Sequence, residues 1–258
     1  MPAHEVRGFP RTDADAAVRV FAFTCGHIRL PTSFFLRGEE GEITIPVTCY
    51  LIDHPRALVL FDTGLGGMHQ RPQGTLPTGR YDFTDDETIA SRLQAIGVAP
   101  EEIQWIINSH LHHDHAGGNI HLPNATVVLQ DAEWDYAYSG IDRSYSSADF
   151  DIGHKILKVR GEYDLFGDGT IVALPTPGHT PGHQSLRVRT SSGEMLLAGD
   201  CCGLRRSLDE LRLPDKCHNA DLYIDSLKKL RSLRIQGTRI FFSHDPEFWA
   251  GVPQSSPL

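Results

Sequence analysis

The sequence predicts an α+β fold in which two β-rich halves, each closed by helices, form a sandwich of sheets. Three observations carry that prediction. Apolar runs of strand length recur along the 258 residues and are separated by Gly and Pro turn signals. Helical patterns follow the strands in each half, at 86–96 and 131–138 in the first and at 220–234 in the second. The segments rich in histidine and aspartate each fall just past a predicted strand, so those strand ends would converge on one edge of the sandwich.

Taken in order, residues 1–16 are polar and expected as a loose arm on a single domain spanning 1–258. Strands are expected at 18–23 (VRVFAF), 43–53 (ITIPVTCYLID) and 57–61 (ALVLF). The third runs into Asp62-Thr63-Gly64, a loop-forming signal. Asp62 reads either as a plain turn aspartate or as the acceptor for the N–H of a metal-binding histidine. Residues 67–83 are Pro/Gly-rich, the composition of a substrate-facing lid or an oligomer contact. A helix at 86–96 takes Asp85 or Asp86 as N-cap and ends at Gly97, and Pro100 leads into a strand ending at Ile107. A strand at 125–130 and a short helix at 131–138 follow. Residues 139–164 have no clear periodicity, and His154 among them reads as an ordinary histidine.

The second half repeats the plan with strands at 170–174, 185–189 and 195–198, the last ending at Gly199-Asp200-Cys201-Cys202. The 220–234 helix is amphipathic, with Tyr223, Leu227 and Leu230 on one face and Lys228, Lys229 and Arg231 turned away. A final strand, 238–242, delivers Ser243-His244-Asp245.

The densest chemistry follows the strand ending at Ile107, where His110, His112, Asp114 and His115 form an H-x-H-x-D-H pattern before Gly117 and Gly118. Imidazole nitrogen and carboxylate oxygen suit zinc and similar divalent metals. Residues two apart in an extended segment point the same way, so His110 and His112 can chelate one ion while Asp114 and His115, past the turn, reach a second. The glycines would then let the backbone turn away.

Whole-chain properties narrow the class. A formal charge of −9 argues against a polyanion such as DNA or RNA as partner. Five cysteines, without a C-x-x-C pair, indicate neither a disulfide framework nor a thiolate zinc knuckle. The N-terminal residues lack the apolar core of a signal peptide and no run approaches the length of a membrane span, so the expectation is a cytoplasmic protein with no membrane association.

The His110–His115 motif, Pro177-Gly178-His179-Thr180-Pro181-Gly182-His183, Gly199-Asp200 and Ser243-His244-Asp245, in this order and at these separations, resemble the metallo-β-lactamase superfamily. The resemblance implies an αββα sandwich, two mixed sheets packed face to face with helices outside, and a binuclear metal centre. It implies His110, His112 and His179 as ligands of the first metal, Asp114, His115 and His244 as ligands of the second, and Asp200 as the bridge. Zinc is the expected metal, with iron, cobalt and manganese as alternatives. Ile45 to Leu51 before Phe61-Asp62-Thr63-Gly64, together with Gln184-Ser185-Leu186 after the doubled P-G-H, is similar to the N-acyl homoserine lactonases. That similarity implies hydrolysis of a small-molecule lactone by a metal-bridging hydroxide, with Asp114 passing the proton to the leaving alkoxide. A monomer or homodimer is expected.

Two positions depart from that family's pattern. Many members place a carbonyl-assisting tyrosine three residues after the bridging aspartate, where this chain has Gly203; Tyr223 and His113 are the candidates to replace it. His113 itself stands where the best-known members carry phenylalanine, so it either makes the pocket entrance more polar or points to solvent. Cys201 and Cys202 are expected as buried thiols rather than ligands. A lactonase for another ring, such as pyridoxolactone, is the competing reading. A non-hydrolytic di-metal redox or ligand-binding protein is the alternative from another class.

Overall fold

A computed structural model of the protein describes residues 17–66 and 79–258. The expected arm at 1–16 and most of the expected lid, 67–78, lie outside the described residues. Seven strands form the first sheet: β1 (Arg19–Pro31), β2 (Glu42–His54), β3 (Ala57–Phe61), β4 (Arg80–Asp82), β5 (Ile103–Ile107), β6 (Thr126–Gln130) and β7 (Lys155–Val159), in spatial order β4-β1-β2-β3-β5-β6-β7. Five form the second: β8 (Tyr163–Asp164), β9 (Ile171–Pro175), β10 (Gln184–Thr190), β11 (Gly193–Leu197) and β12 (Arg239–Phe241), in order β12-β11-β10-β9-β8. Both sheets are mixed, since β3, β5, β6 and β7 pair in parallel, as do β11 and β12, while the other pairs are antiparallel.

The layering follows from the period-2 alternation of strand side chains. Val20, Ala22, Val59, Phe61 and Val128 of the first sheet meet Ile171, Ala173, Leu186 and Leu197 of the second in a shared middle core. Their neighbours in sequence point outward. Phe21, Phe23, Leu58, Leu60, Val127 and Leu129 pack with Ile89 and Leu93 of α1 (Ile89–Ala95) and with Trp134 of α3 (Asp131–Tyr138). Val172, Leu174 and Leu196 pack with Leu208 of α5 (Arg205–Glu210) and with Tyr223, Leu227 and Leu230 of α6 (Ala220–Ile235). Three apolar layers thus separate helices, sheet, sheet and helices, which is the αββα sandwich. A strand buried on both faces must be apolar at every position, as β3 (ALVLF) is, and each of its Val, Leu and Phe side chains contributes on the order of 1.5–3 kcal/mol.

Several local expectations are corrected. β1 runs past Phe23 to Pro31, across a register shift between Thr24 and His27 at which Gly26 takes φ +101°. Residues 80–82 of the expected irregular segment form β4, an edge strand on β1. Asp85 lies in a 3-10 turn capped by Thr84, and the N-cap of α1 is Thr88, whose Oγ1 accepts the Ser91 N–H at 3.2 Å, so neither Asp85 nor Asp86 is the cap. The 139–164 segment holds α4 (Ser147–Phe150), β7 and β8. Gly117 and Gly118 do not reverse the chain through left-handed conformations. They are glycines because a Cβ at either would strike the backbone of the Thr63–Gly66 loop.

Candidate active site

β3 and β5 are parallel neighbours, so the loops leaving their C-terminal ends lie side by side. Thr63 N–H donates to the His115 carbonyl at 2.8 Å, and Asp62 N–H donates to the Ile107 carbonyl at 3.1 Å. His110 stands three residues past the end of β5, and His113 to Ala116 form a single helical turn, α2 (His113–Ala116), that carries Asp114 and His115. The His179 loop enters from the second sheet, after β9. Its Gly178 has φ +138° and packs against the Tyr223 backbone, while Asn219, the N-cap of α6, donates its N–H to the Gly178 carbonyl at 3.0 Å. Asp200 sits on the turn after β11 and His244 follows β12.

The structure brings all seven predicted metal-ligating residues together. His110 Nε2, His112 Nδ1 and His179 Nε2 face one another at 2.9, 3.1 and 3.2 Å. Three ligands on a tetrahedral zinc with bonds of about 2.0–2.1 Å would be roughly 3.3 Å apart, so the triangle fits an ion of that kind. In a second group, Asp114, His115 and His244 offer ligand atoms within 4.8 Å of one another. The Asp200 carboxylate lies between the two groups. Its Oδ1 is 2.9 Å from His244 Nε2 and 3.2 Å from His115 Nε2, and its Oδ2 is 3.4 Å from His179 Nε2.

The outward-facing nitrogens of His115 and His244 have hydrogen-bond partners that aim those rings. His115 Nδ1 donates to Asp62 Oδ2 at 2.8 Å, and Asp62 in turn accepts from Ser109 N–H at 2.6 Å and Ser109 Oγ at 2.8 Å. Asp62 holds this position at φ +56°, in the left-handed region. His244 Nδ1 donates to the Pro46 carbonyl at 2.9 Å. His112 Nε2 lies 3.6 Å from Asp142 Oδ2, and the His112 ring packs on Tyr145 at 4.7 Å between centroids. Fixing the outer nitrogen in this way decides which nitrogen points inward.

Electrostatics agree with a cation-binding centre. Burial, reinforced by the neighbouring imidazoles, pushes His110 well below the usual histidine range, and His179 is lowered to about 4. Both are therefore neutral, ligand-ready imidazoles at neutral pH. Burial would lower His115 and His244 too, but Asp200 and Asp114 beside them outweigh it and raise both. Burial would raise Asp114, yet His115, His113 and His244 hold it at about 2; Asp200 is likewise held well below its usual range by His115 and His244. The two carboxylates thus draw positive charge into the space where the second group converges.

The remaining candidates are placed as follows. His113 is buried, not solvent-directed, with its ring edge-on to Tyr81 at 5.3 Å, and it lines the pocket above the histidines. Tyr223 also lines the pocket, and its hydroxyl donates to the Asp200 carbonyl at 2.7 Å. Cys201 and Cys202 are buried in the core beside α6, and burial raises the Cys201 thiol to about 12. Neither cysteine belongs to a metal-competent cluster among the described residues. His154 lies apart from the site, its Nε2 bonded to the Leu122 carbonyl at 2.9 Å. His183 is structural: Nδ1 donates to the Thr176 carbonyl at 3.1 Å, and Nε2 accepts the Cys201 N–H at 3.2 Å.

Sequence reasoning missed Asp142, Glu133 and the apolar wall of the pocket, formed by Ile28, Leu30, Phe34, Phe35, Ile45 and Tyr81. Glu133 looked like an ordinary first-turn acid of α3. Asp142 and Phe35 carry no local signal, because they reach the site from segments remote in sequence.

A sequence model of the metallo-β-lactamase superfamily matches residues 44–244. The N-acyl homoserine lactonase AttM of Azorhizobium caulinodans is 32% identical over 232 residues, covering 83% of this chain and 87% of the relative. The N-acyl homoserine lactonase of Bacillus cereus is 32% identical over 213 residues, covering 80% and 83%. Among solved structures, an N-acyl homoserine lactone hydrolase with N-hexanoyl-L-homoserine bound at its catalytic metal centre superposes with a TM-score of 0.83 at 25% identity, covering 94% of this chain and 100% of that one.

Proposed function

Since the chain belongs to the metallo-β-lactamase superfamily, we propose that it is a metal-dependent carboxylic-ester hydrolase that opens the lactone ring of N-acyl homoserine lactones, and so quenches quorum signals. The observation that carries the reading is the Asp200 carboxylate standing between two converging ligand groups at the base of a pocket with an apolar wall. Relatives that share about a third of their residues over 80% or more of the chain are lactonases for that substrate class.

In this reading His110, His112 and His179 would hold one divalent cation and Asp114, His115 and His244 the other, with the Asp200 carboxylate placed between the two groups. Cations held there would supply Lewis acidity for activating a water and polarising the lactone carbonyl. Asp114, held ionised by His115, His113 and His244, is the carboxylate placed to pass a proton from the attacking water to the ring alkoxide. Asp62 and the Pro46 carbonyl keep His115 and His244 in the tautomers that leave Nε2 inward. The apolar wall takes the acyl chain, which favours that substrate over a polar aromatic ring such as pyridoxolactone.

Zinc as resident metal, a cytoplasmic location and a monomeric or homodimeric state complete the proposal, to be checked by metal analysis, cell fractionation and light scattering. No helix among the described residues is long and apolar enough to cross a membrane. The test of function is ring opening, followed in a pH-stat, of a short-chain and a long-chain N-acyl homoserine lactone beside an amide-free γ-lactone and pyridoxolactone. Opening of the homoserine lactones, with about two metals per chain, is expected. Turnover should vanish in His110→Ala, Asp114→Ala and Asp200→Ala while the protein stays folded, and turnover retained in all three would sink the two-metal mechanism.

A further inference from the structure

We propose that Glu133 is the positioning residue of the His110, His112 and His179 group, its one carboxylate fixing both loops and the aromatic ring that hold those imidazoles together. The proposal rests on reading that group as a metal site. Glu133 is fully buried at 0% exposure, and no cation among the described residues pairs with it. A buried carboxylate in that situation costs several kcal/mol unless its oxygens accept hydrogen bonds. Three donors converge on it: Leu111 N–H on Oε1 at 3.0 Å, Tyr145 Oη on Oε1 at 2.7 Å and Thr180 Oγ1 on Oε2 at 2.6 Å.

Each donor belongs to a different part of the histidine group. Leu111 lies between His110 and His112, and Thr180 follows His179. Tyr145 packs its ring on His112, and its hydroxyl bond to Glu133 keeps it there. Held so, the Tyr145 ring opposes the His112 flip that would turn Nδ1 away from the other two nitrogens. Gly182, in the His179 loop, lacks the side chain that would collide with the Glu133 backbone, so α3 seats directly on that loop. The other group has separate supports, Asp62 for His115 and the Pro46 carbonyl for His244. Loss of Glu133 should therefore damage one metal site and spare the other.

The experiment loads metal-free wild type, Glu133→Ala, Glu133→Gln and Tyr145→Phe with Co(II), measuring stoichiometry, chelator competition and the visible Co(II) spectrum, alongside the Tm of each metal-free protein. Wild type should bind two equivalents. Glu133→Ala should keep one site at wild-type affinity and lose roughly 10- to 100-fold at the other. Glu133→Gln should recover most of that, because its carbonyl can serve Leu111 and Tyr145 while its amide donates to the Thr180 hydroxyl. Tyr145→Phe, a mild change for the fold, should weaken the same site several-fold. Two intact sites in Glu133→Ala, or both sites weakening in step with Tm, would overturn the proposal alone. A wild type that takes up no metal would overturn the metal reading and this proposal with it.

Discussion

The ring of Phe35 occupies the space that a side chain at position 203 would need: a Cβ on Gly203 would stand 2.6 Å from Phe35 Cε1 and 2.7 Å from Cδ1. The same ring tilts against His244, with 5.5 Å between centroids. Position 203 has no left-handed backbone to strain, so Gly203→Ala is a purely steric change. It should push Phe35 off His244 and cost roughly 1–3 kcal/mol of stability, the range for overpacking. Phe35→Leu should relieve the clash, so the double variant should be more stable than Gly203→Ala alone. Additive losses in urea unfolding would show that the two positions do not compete for space.

Tyr223 was one of two candidates to assist the carbonyl in place of a residue at 203, yet its hydroxyl already donates to the Asp200 carbonyl. A proton committed to a backbone acceptor at 2.7 Å is a poor one to offer a substrate. Tyr223→Phe should therefore cost about 1 kcal/mol of stability and change kcat by no more than a few-fold. A loss of kcat of about 100-fold without a change in stability would restore the tyrosine to the chemistry.

Asp62 couples the β3 loop to the His115 ring. Asp62→Ala removes the acceptor of His115 Nδ1 and of both Ser109 donors, and it places alanine at φ +56°, where aspartate and asparagine are better tolerated. Asp62→Asn keeps the backbone tolerance but replaces one carboxylate oxygen by an amide donor. Metal affinity or activity should drop roughly 10- to 100-fold in Asp62→Asn and further in Asp62→Ala. Equal and small losses in both, read by chelator competition, would show that the His115 ring needs no anionic partner.

What the sequence disclosed and what it hid divide along physical lines. The histidines proposed as ligands were legible because His110, His112 and His115 are close in sequence and because each motif, those of His179 and His244 included, follows a strand whose apolar run is itself clear. Helix α3 matches its expected 131–138 span because Gln130 ends one strand and a first-turn acid follows at once. Strand β7 was hidden because KILKV lies at a sheet edge with two lysines, so its alternation is weak and its burial partial. The second half of β1 was hidden by Gly26, a turn residue by composition that here makes a bulge. Glu133 and Asp142 escaped because their roles depend on which loops lie opposite them, and no spacing along the chain encodes that.

His183 gives a pH dependence that involves no bound metal. Burial, with His179 nearby, lowers it from about 6.5 to about 3, and its two ring nitrogens are engaged as one donor and one acceptor. Protonation would put a second N–H against the Cys201 N–H, so the folded state resists it. Between about pH 6.5 and 3 the unfolded chain binds this proton and the folded chain does not, so the contribution is fully present above 6.5 and declines as pH falls through that window. Each unit is worth about 1.4 kcal/mol, so a few kcal/mol are at stake. His115 and His244, raised by their carboxylates, act in the opposite sense and mask part of the effect in the whole protein. The difference between wild type and His183→Gln isolates it: in the metal-free state, the stability advantage of wild type should shrink steadily from pH 7 to pH 4.5. A constant difference over that range would mean that His183 can take up a proton within the fold at little cost.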